Sequence, residues 1–454
     1  MAQATAPPSA ELGAQSAYRR NTELSLLLIA LIVGAGATVL AALALNQHTA
    51  SRTAPYIALI VIAYVAAHIV MRHSARQADP LLLPLAAVVN TVGLAAVYRL
   101  SPKSLGPTQV VWTIVGIACF VATVVFLKDF RVLARYKYIF GFTGLALLLL
   151  PATPLGVPIN GAQLWLRFGG FSFQPGELAK LCLVIFFAAY LAERKELLAV
   201  ASRRVAGIHL PDLKHFGPLI VMWAVSLLVM FYEKDLGSSL LFFSVFIVML
   251  YVATARAAYV AFGGGLFAIG AYLGYSAFSH VRERVDIWLH VFDPKLIKDQ
   301  GYQLAQGLFA LATGGLFGTG LGRGRPDLIP EAATDFIFPV IGEELGLMGT
   351  AALLVCFFLL VGRGLKIALA QRDDFGQLLA FGLTAMLGIQ TLIILGGVTR
   401  LLPLTGITLP FVSYGGSSLL SNFILLGILV RISHHRSGTA APAHTEEILI
   451  GGRH

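Results

Sequence analysis

Twelve apolar stretches divide the chain, at about 24–45, 56–72, 81–98, 109–127, 137–152, 175–192, 217–232, 237–254, 258–278, 335–361, 377–398 and 410–431. A bilayer core about 30 Å thick needs roughly 20 apolar residues per helix. Each stretch therefore predicts a membrane-spanning helix, and together they predict an all-α polytopic membrane protein of about 12 spans. The first follows a polar head rich in Ala, Ser and Gln with no clear small-residue cleavage site, so it reads as a retained helix rather than a signal peptide. Two polar intervals are too long to be simple turns. Residues 153–174 mix Gly and Pro with aromatics around Asn160, Trp165, Phe171 and Phe173, and residues 279–334 form the largest loop. Loops beyond about 12–15 residues are usually functional or disordered. The apolar segment Gln303–Phe317 predicts a helix lying at the membrane surface and so favours function. The polar tail after Arg436 predicts disorder.

Composition sharpens this picture. Hydrophobic residues make up 57% and charged residues only 12%, with a mean hydropathy of +0.79. Soluble domains carry about 25% charge, so a water-soluble enzyme is excluded, as is global disorder. Cys119, Cys182 and Cys356 all fall in apolar runs, which argues against a disulfide framework or a thiolate metal site. The net charge of +10 is explained by topology rather than by nucleic acid. With the N-terminus inside, twenty Lys and Arg lie on the inner side and twelve on the outer, six of those in the long loop. The positive-inside rule discounts long loops, so both termini are expected in the cytoplasm, with 279–334 outside.

Charges in a bilayer cost about 2.5–3.5 kcal/mol each on insertion scales, so each needs an explanation. Glu177 and Lys180, three apart at the start of the sixth stretch, share a helix face and read either as a self-neutralising pair or as functional groups. Lys234-Asp235 reads as a tight turn whose Asp caps the next helix. Asp335 opens the tenth stretch, where a cap is the simplest role; burial would instead make it a base. Glu343 and Glu344 lie roughly 12–14 Å deeper by helical rise, and adjacent residues point about 100° apart on a helix, so they cannot both face the same partner; one reaching an outer cavity and the other playing a structural part is expected. The histidines show no metal-ligand spacing. The residues alone thus fit an enzyme acting on a lipid-linked substrate, or a transporter with proton-relaying carboxyls.

The same residues carry a family likeness. Gly301-Tyr302-Gln303-Leu304-Ala305-Gln306, Pro330-Glu331, Thr334-Asp335-Phe336-Ile337-Phe338 and Gly342-Glu343-Glu344-Leu345-Gly346 resemble the RodA/FtsW (SEDS) family. So do Asn160-Gly161-Ala162-Gln163, the stretch Phe173 to Lys180, Lys234 to Ser239, Leu402 to Gly406, and Leu409 to Ser418. Several motifs in order across one chain are far more specific than any one of them. The run Gly396-Gly397-Val398-Thr399-Arg400 resembles the actinobacterial RodA branch. Two positions depart from the pattern: Leu164 stands where relatives have Arg, with Arg167 three positions on, and Ile394 where many have Asn.

The resemblance implies a peptidoglycan glycosyltransferase for cell elongation and shape. It would polymerise lipid II into glycan strands on the outer face of a bacterial cytoplasmic membrane, beside a class B penicillin-binding protein. It places the essential Asp on Asp335, with Glu177, Lys180, Asp235, Glu343, Arg400, Ser413, Gly415 and Gly416 in support. No resident cofactor is expected beyond a divalent cation such as Mg²⁺ or Mn²⁺. It also implies a division into a cytoplasmic segment 1–23, two extra N-terminal helices over 24–79, a membrane core over 80–432 and a tail 433–454. A flippase for lipid-linked precursors, or a scaffold of the division machinery, is the competing reading.

Overall fold

The computed structural model describes residues 8–45, 47–159, 162–168, 171–199, 203–205, 208–210 and 213–438. In chain order, α1 (Pro8–Leu45), α2 (Gln47–Ser74), α3 (Leu82–Leu100) and α4 (Leu105–Phe126) are followed by the short α5 (Val132–Arg135) and by α6 (Lys137–Leu149). Strands β1 (Gly156–Ile159), β2 (Ala162–Phe168) and β3 (Phe171–Phe173) lead into α7 (Pro175–Ala199). A β4 (Arg203–Val205) to β5 (Ile208–Leu210) hairpin precedes α8 (Leu213–Tyr232), α9 (Leu236–Thr254) and α10 (Ala257–Ala277). Helices α11 (Ser279–His290) and α12 (Tyr302–Gly314) occupy the long loop, and α13 (Ile337–Leu369), α14 (Asp374–Val398) and α15 (Gly416–Gly438) complete the bundle.

Among the described residues, ten helices are long and apolar enough to cross a membrane, and two shorter apolar helices, Lys137–Ala152 and Gly217–Tyr232, fill the other two expected stretches. Helices α7, α14 and α15 are mostly buried and form the centre, whereas α10 is mostly exposed at the periphery.

Three expectations change. Segment 153–174 is an antiparallel sheet, paired Gly156↔Leu166 and Leu166↔Phe173, rather than irregular loop. The alternation of Leu164, Leu166 and Phe168 with Gln163, Trp165 and Arg167 has the two-residue period of a strand. A boundary at residue 23 falls inside α1, because Arg20 and Glu23 are buried within the bundle and paired with each other. The tail starts later than 433, because α15 continues to Gly438 and Ser433 is buried, its hydroxyl accepting the Asp79 amide at 2.8 Å. Asn160, Gly161, Gly169, Gly170 and 439–454 lie outside the described residues.

Several charges at the end of the bundle holding Arg20 are paired internally. Glu23 also meets His68 Nδ1 at 2.8 Å, Arg363 pairs with Asp79, and Arg431 donates to the Ser74 carbonyl at 2.8 Å. Removing one partner of such a buried pair costs about 3–5 kcal/mol, so these contacts tie α1 and α2 to the core.

Candidate functional site

Asp335 lies in a tight turn, Glu331–Phe336, in which the Thr334 and Phe336 amides both donate to the Glu331 carbonyl. Helix α13 starts two residues later with Phe336 as its N-cap, so Asp335 does not serve as the cap. Among the described residues, no hydrogen bond or ion pair engages its carboxylate. The turn is held instead through its backbone. Ser413 Oγ donates to the Thr334 carbonyl at 2.6 Å and accepts the Leu409 amide at 2.9 Å, while the Tyr414 amide donates to Ala333 at 2.8 Å. Phe411, two residues before Ser413, sits at φ 63. For a bulky side chain that left-handed conformation costs of order 1–3 kcal/mol and persists only where the surroundings impose it.

Arg284 of α11 flanks Asp335, anchored by an Nη1 hydrogen bond of 2.7 Å to the Leu404 carbonyl. Gly406 (φ +74) separates them: a methyl there would lie 3.5 Å from Asp335 Oδ2 and 4.0 Å from Arg284 Nη1. Desolvation, then the neighbouring Glu331 carboxylate, push the Asp335 carboxyl up to about 7, against the pull of Arg284. Asp235 adds a smaller upward push, so the two aspartates share one electrostatic neighbourhood. A carboxyl titrating near neutrality is suited to taking up and releasing a proton.

Asp235 caps α9, accepting the Ser238 amide at 2.9 Å, which is its expected structural role. Next to it is a group the sequence reading missed. Glu233 is 7% exposed, its Oε1 has no partner among the described residues, and burial followed by the Asp235 carboxylate pushes it up to about 8. Glu233 and Asp235 line a small cleft with Leu164, Gln174, Gly176 and Ser238. The only signal for Glu233 was its place at the end of an apolar run, one residue before the more conspicuous Lys234-Asp235. Leu164 faces this cleft, while Arg167 is exposed on β2.

Glu177 and Lys180 form a buried pair at 2.9 Å on the first turns of α7. The Glu177 carbonyl accepts Ser421 Oγ at 2.9 Å, and the Gln174 amide donates to Ser417 Oγ at 2.7 Å, so α15 fixes the pair beside the cleft. Gly415 and Gly416 open α15 where space is short: a Cβ on Gly416 would lie 2.1 Å from Trp112.

Two candidates are engaged elsewhere. Arg400 donates to the carbonyls of Trp288 (2.8 Å) and Leu289 (2.7 Å) and accepts Trp288 Nε1 at 3.1 Å, clamping α11 rather than facing Asp335. Glu343 and Glu344 do face one segment, contrary to expectation, because the chain passes across both side chains at Gly324, where a Cβ would lie 3.0 Å from atoms of each; two residues later α13 breaks at Gly346 (φ 66). The glycine-rich segment after α12 folds over the break. Thr319 and Gly320 amides take the Glu343 and Glu344 carbonyls, the Arg325 amide donates to Glu343 Oε1 at 2.9 Å, and Arg99 meets Glu344 at 3.3 Å. Among the described residues, no three His, Cys, Asp or Glu side chains converge as a metal site.

The chain is similar to known proteins over most of its length. The FtsW/RodA/SpoVE family of cell cycle proteins matches residues 80–438. The peptidoglycan glycosyltransferase RodA of Mycobacterium leprae is 46% identical over 452 residues, covering 95% of this chain and 96% of that protein. RodA of Mycobacterium tuberculosis is 46% identical over 439 residues, covering 94% and 92%. Among solved structures, a chain of a peptidoglycan synthase complex that coordinates polymerization and crosslinking superposes with a TM-score of 0.64 at 27% identity, over 79% of this chain and 98% of that one. With the motifs in order and the helices in place, this chain belongs to the FtsW/RodA/SpoVE family.

Proposed function

We propose that this protein is a peptidoglycan glycosyltransferase that polymerises lipid II into glycan strands, with Asp335 as general base. The observation that carries the reading is the Asp335 carboxyl itself, free of hydrogen bonds among the described residues, beside the Arg284 guanidinium, and titrating at about 7. A sugar 4-hydroxyl of the acceptor lipid II gives its proton to Asp335 as its oxygen bonds to the anomeric carbon of the donor. The bond from that carbon to the pyrophosphate breaks, and undecaprenyl pyrophosphate leaves. Developing negative charge on the leaving group needs positive charge held ready, which Arg284 supplies beside the base and Lys180 supplies deeper along α7. Among the described residues no cluster of carboxylates or histidines would hold a divalent cation such as Mg²⁺ or Mn²⁺; one arriving with the substrate would supply neutralising charge for the leaving pyrophosphate.

The excess of Lys and Arg on the opposite side supports a site on the outer face of a bacterial cytoplasmic membrane. The match to a chain of a synthase complex that also crosslinks supports a class B penicillin-binding protein as partner. Polymerisation of purified lipid II by this protein with such a partner tests the reading. Long strands from wild type and none from Asp335→Ala are expected. Strands from the variant would overturn the role of Asp335. Lipid II carried across vesicles with no strand formed would replace the reaction with transport.

A further inference from the structure

Helices α1 and α2 precede the family match at 80–438, and the mechanism above uses neither. A chain of buried hydrogen bonds nevertheless runs from the middle of α2 to the turn that carries Asp335. Tyr64 is fully buried, and its hydroxyl donates to Asn90 Oδ1 of α3 at 3.0 Å. Asn90, also fully buried, donates through Nδ2 to the Phe411 carbonyl at 3.1 Å. Phe411 is the residue held at φ 63, and two positions on, Ser413 holds the Thr334 carbonyl next to Asp335. Packing follows the same path. The ring of Phe423 lies 6.4 Å from that of Tyr64 and 5.3 Å edge-on from that of Phe411, and Gly93 brings α3 so close that a Cβ there would lie 2.5 Å from Val412 Cα.

The chemistry of the middle link gives Tyr64 a specific task. The two ends of an Asn amide are nearly alike in shape but opposite in hydrogen bonding. Only the orientation with NH₂ toward Phe411 satisfies its carbonyl, since the reversed amide would set oxygen against oxygen. A donor hydroxyl from Tyr64 on Oδ1 selects that orientation. Resting on the glycosyltransferase reading, we infer that α2 is a positioning element of the active site, with Tyr64 acting through Asn90 and the Phe411 carbonyl to aim Asp335. Helix α2, outside the family match, is then part of the catalytic support.

Tyr64→Phe deletes one oxygen and keeps the ring, so packing is preserved. Assayed as the full chain with its class B partner, Tyr64→Phe should lower kcat for strand synthesis about two- to tenfold, the worth of one buried hydrogen bond, and leave KM for lipid II within about twofold. Asn90→Leu should lower kcat at least as far. The double variant should be no slower than Asn90→Leu alone, because Tyr64 works through Asn90. Backbone hydrogen exchange at Val412, Ser413 and Tyr414 supplies a readout independent of turnover and should quicken in Tyr64→Phe. An unchanged kcat in Tyr64→Phe, additive losses in the double variant, or unchanged exchange at these amides would each overturn the inference. A wild type without polymerase activity would instead overturn the reaction assigned to the site, and the exchange data would still decide whether α2 holds the loop.

Discussion

Asp335→Asn should exchange activity for stability, in a way that depends on pH. The folded chain raises the Asp335 carboxyl from its ordinary 3.8 to about 7, so between those values the folded state keeps a proton that the unfolded chain has released. Stability associated with this group is therefore fully present below about pH 4, falls as pH rises toward 7, and is flat above it. At about 1.4 kcal/mol per pH unit the whole loss has a ceiling on the order of 4 kcal/mol. Asp335 retains some solvent contact, which brings the expected value to about 2 kcal/mol. Asn keeps the shape and carries no charge, so it avoids this loss. Thermal unfolding of wild type and Asp335→Asn in detergent, from pH 5 to pH 8, measures it. The variant should melt progressively above wild type as pH rises, by a few degrees at pH 8, while making no polymer. Wild-type activity, for its part, should climb through an acid limb centred near pH 7. A melting difference independent of pH, or a variant less stable than wild type at pH 8, would refute the claim that the fold disfavours the Asp335 carboxylate.

Arg284→Gln removes the cation that holds the Asp335 value down, so the acid limb of the pH–rate profile should move to higher pH, with the leaving-group step slowed as well; a full pH–rate series on the purified complex reads the shift. Lys180→Met leaves the Glu177 carboxylate buried without its partner at 2.9 Å and should cost about 3–5 kcal/mol of stability. Adding Glu177→Gln should recover much of that loss without restoring activity, which melting temperature and strand synthesis separate.

The helices were legible because lipid imposes a length, and apolar runs of that length have few other uses. Even the two shortest apolar helices, Lys137–Ala152 and Gly217–Tyr232, stand where the hydropathy placed them. What escaped were features whose signal is brief or is set by backbone geometry. The β2 alternation lasts seven residues inside a Gly- and Pro-rich interval. Glu343 and Glu344 point in different directions from their helix, yet the backbone at Gly324 packs against both side chains, a wrap-around that helix periodicity does not reveal. The tail and head boundaries were set by polarity alone, whereas Ser433, Arg20 and Glu23 are polar residues whose partners lie elsewhere in the bundle.

The site divides along the same line. Asp335, Glu177, Lys180 and Asp235 could be picked out because a charge beside an apolar run is costly and therefore conspicuous. Their supports could not, because the groups that do the holding are main-chain carbonyls: Leu404 for Arg284, Thr334 for Ser413, Trp288 and Leu289 for Arg400, Phe411 for Asn90. Every residue carries a carbonyl, so nothing in a sequence marks the few that are used. Arg400 illustrates the consequence. The family likeness set it among the supporting residues of the site, yet among the described residues both of its side-chain hydrogen bonds are spent on the end of α11, the helix that carries Arg284. Its hydrogen bonds hold the helix of another arginine, an arrangement that charge and motif cannot distinguish from ligand binding and that geometry separates at once.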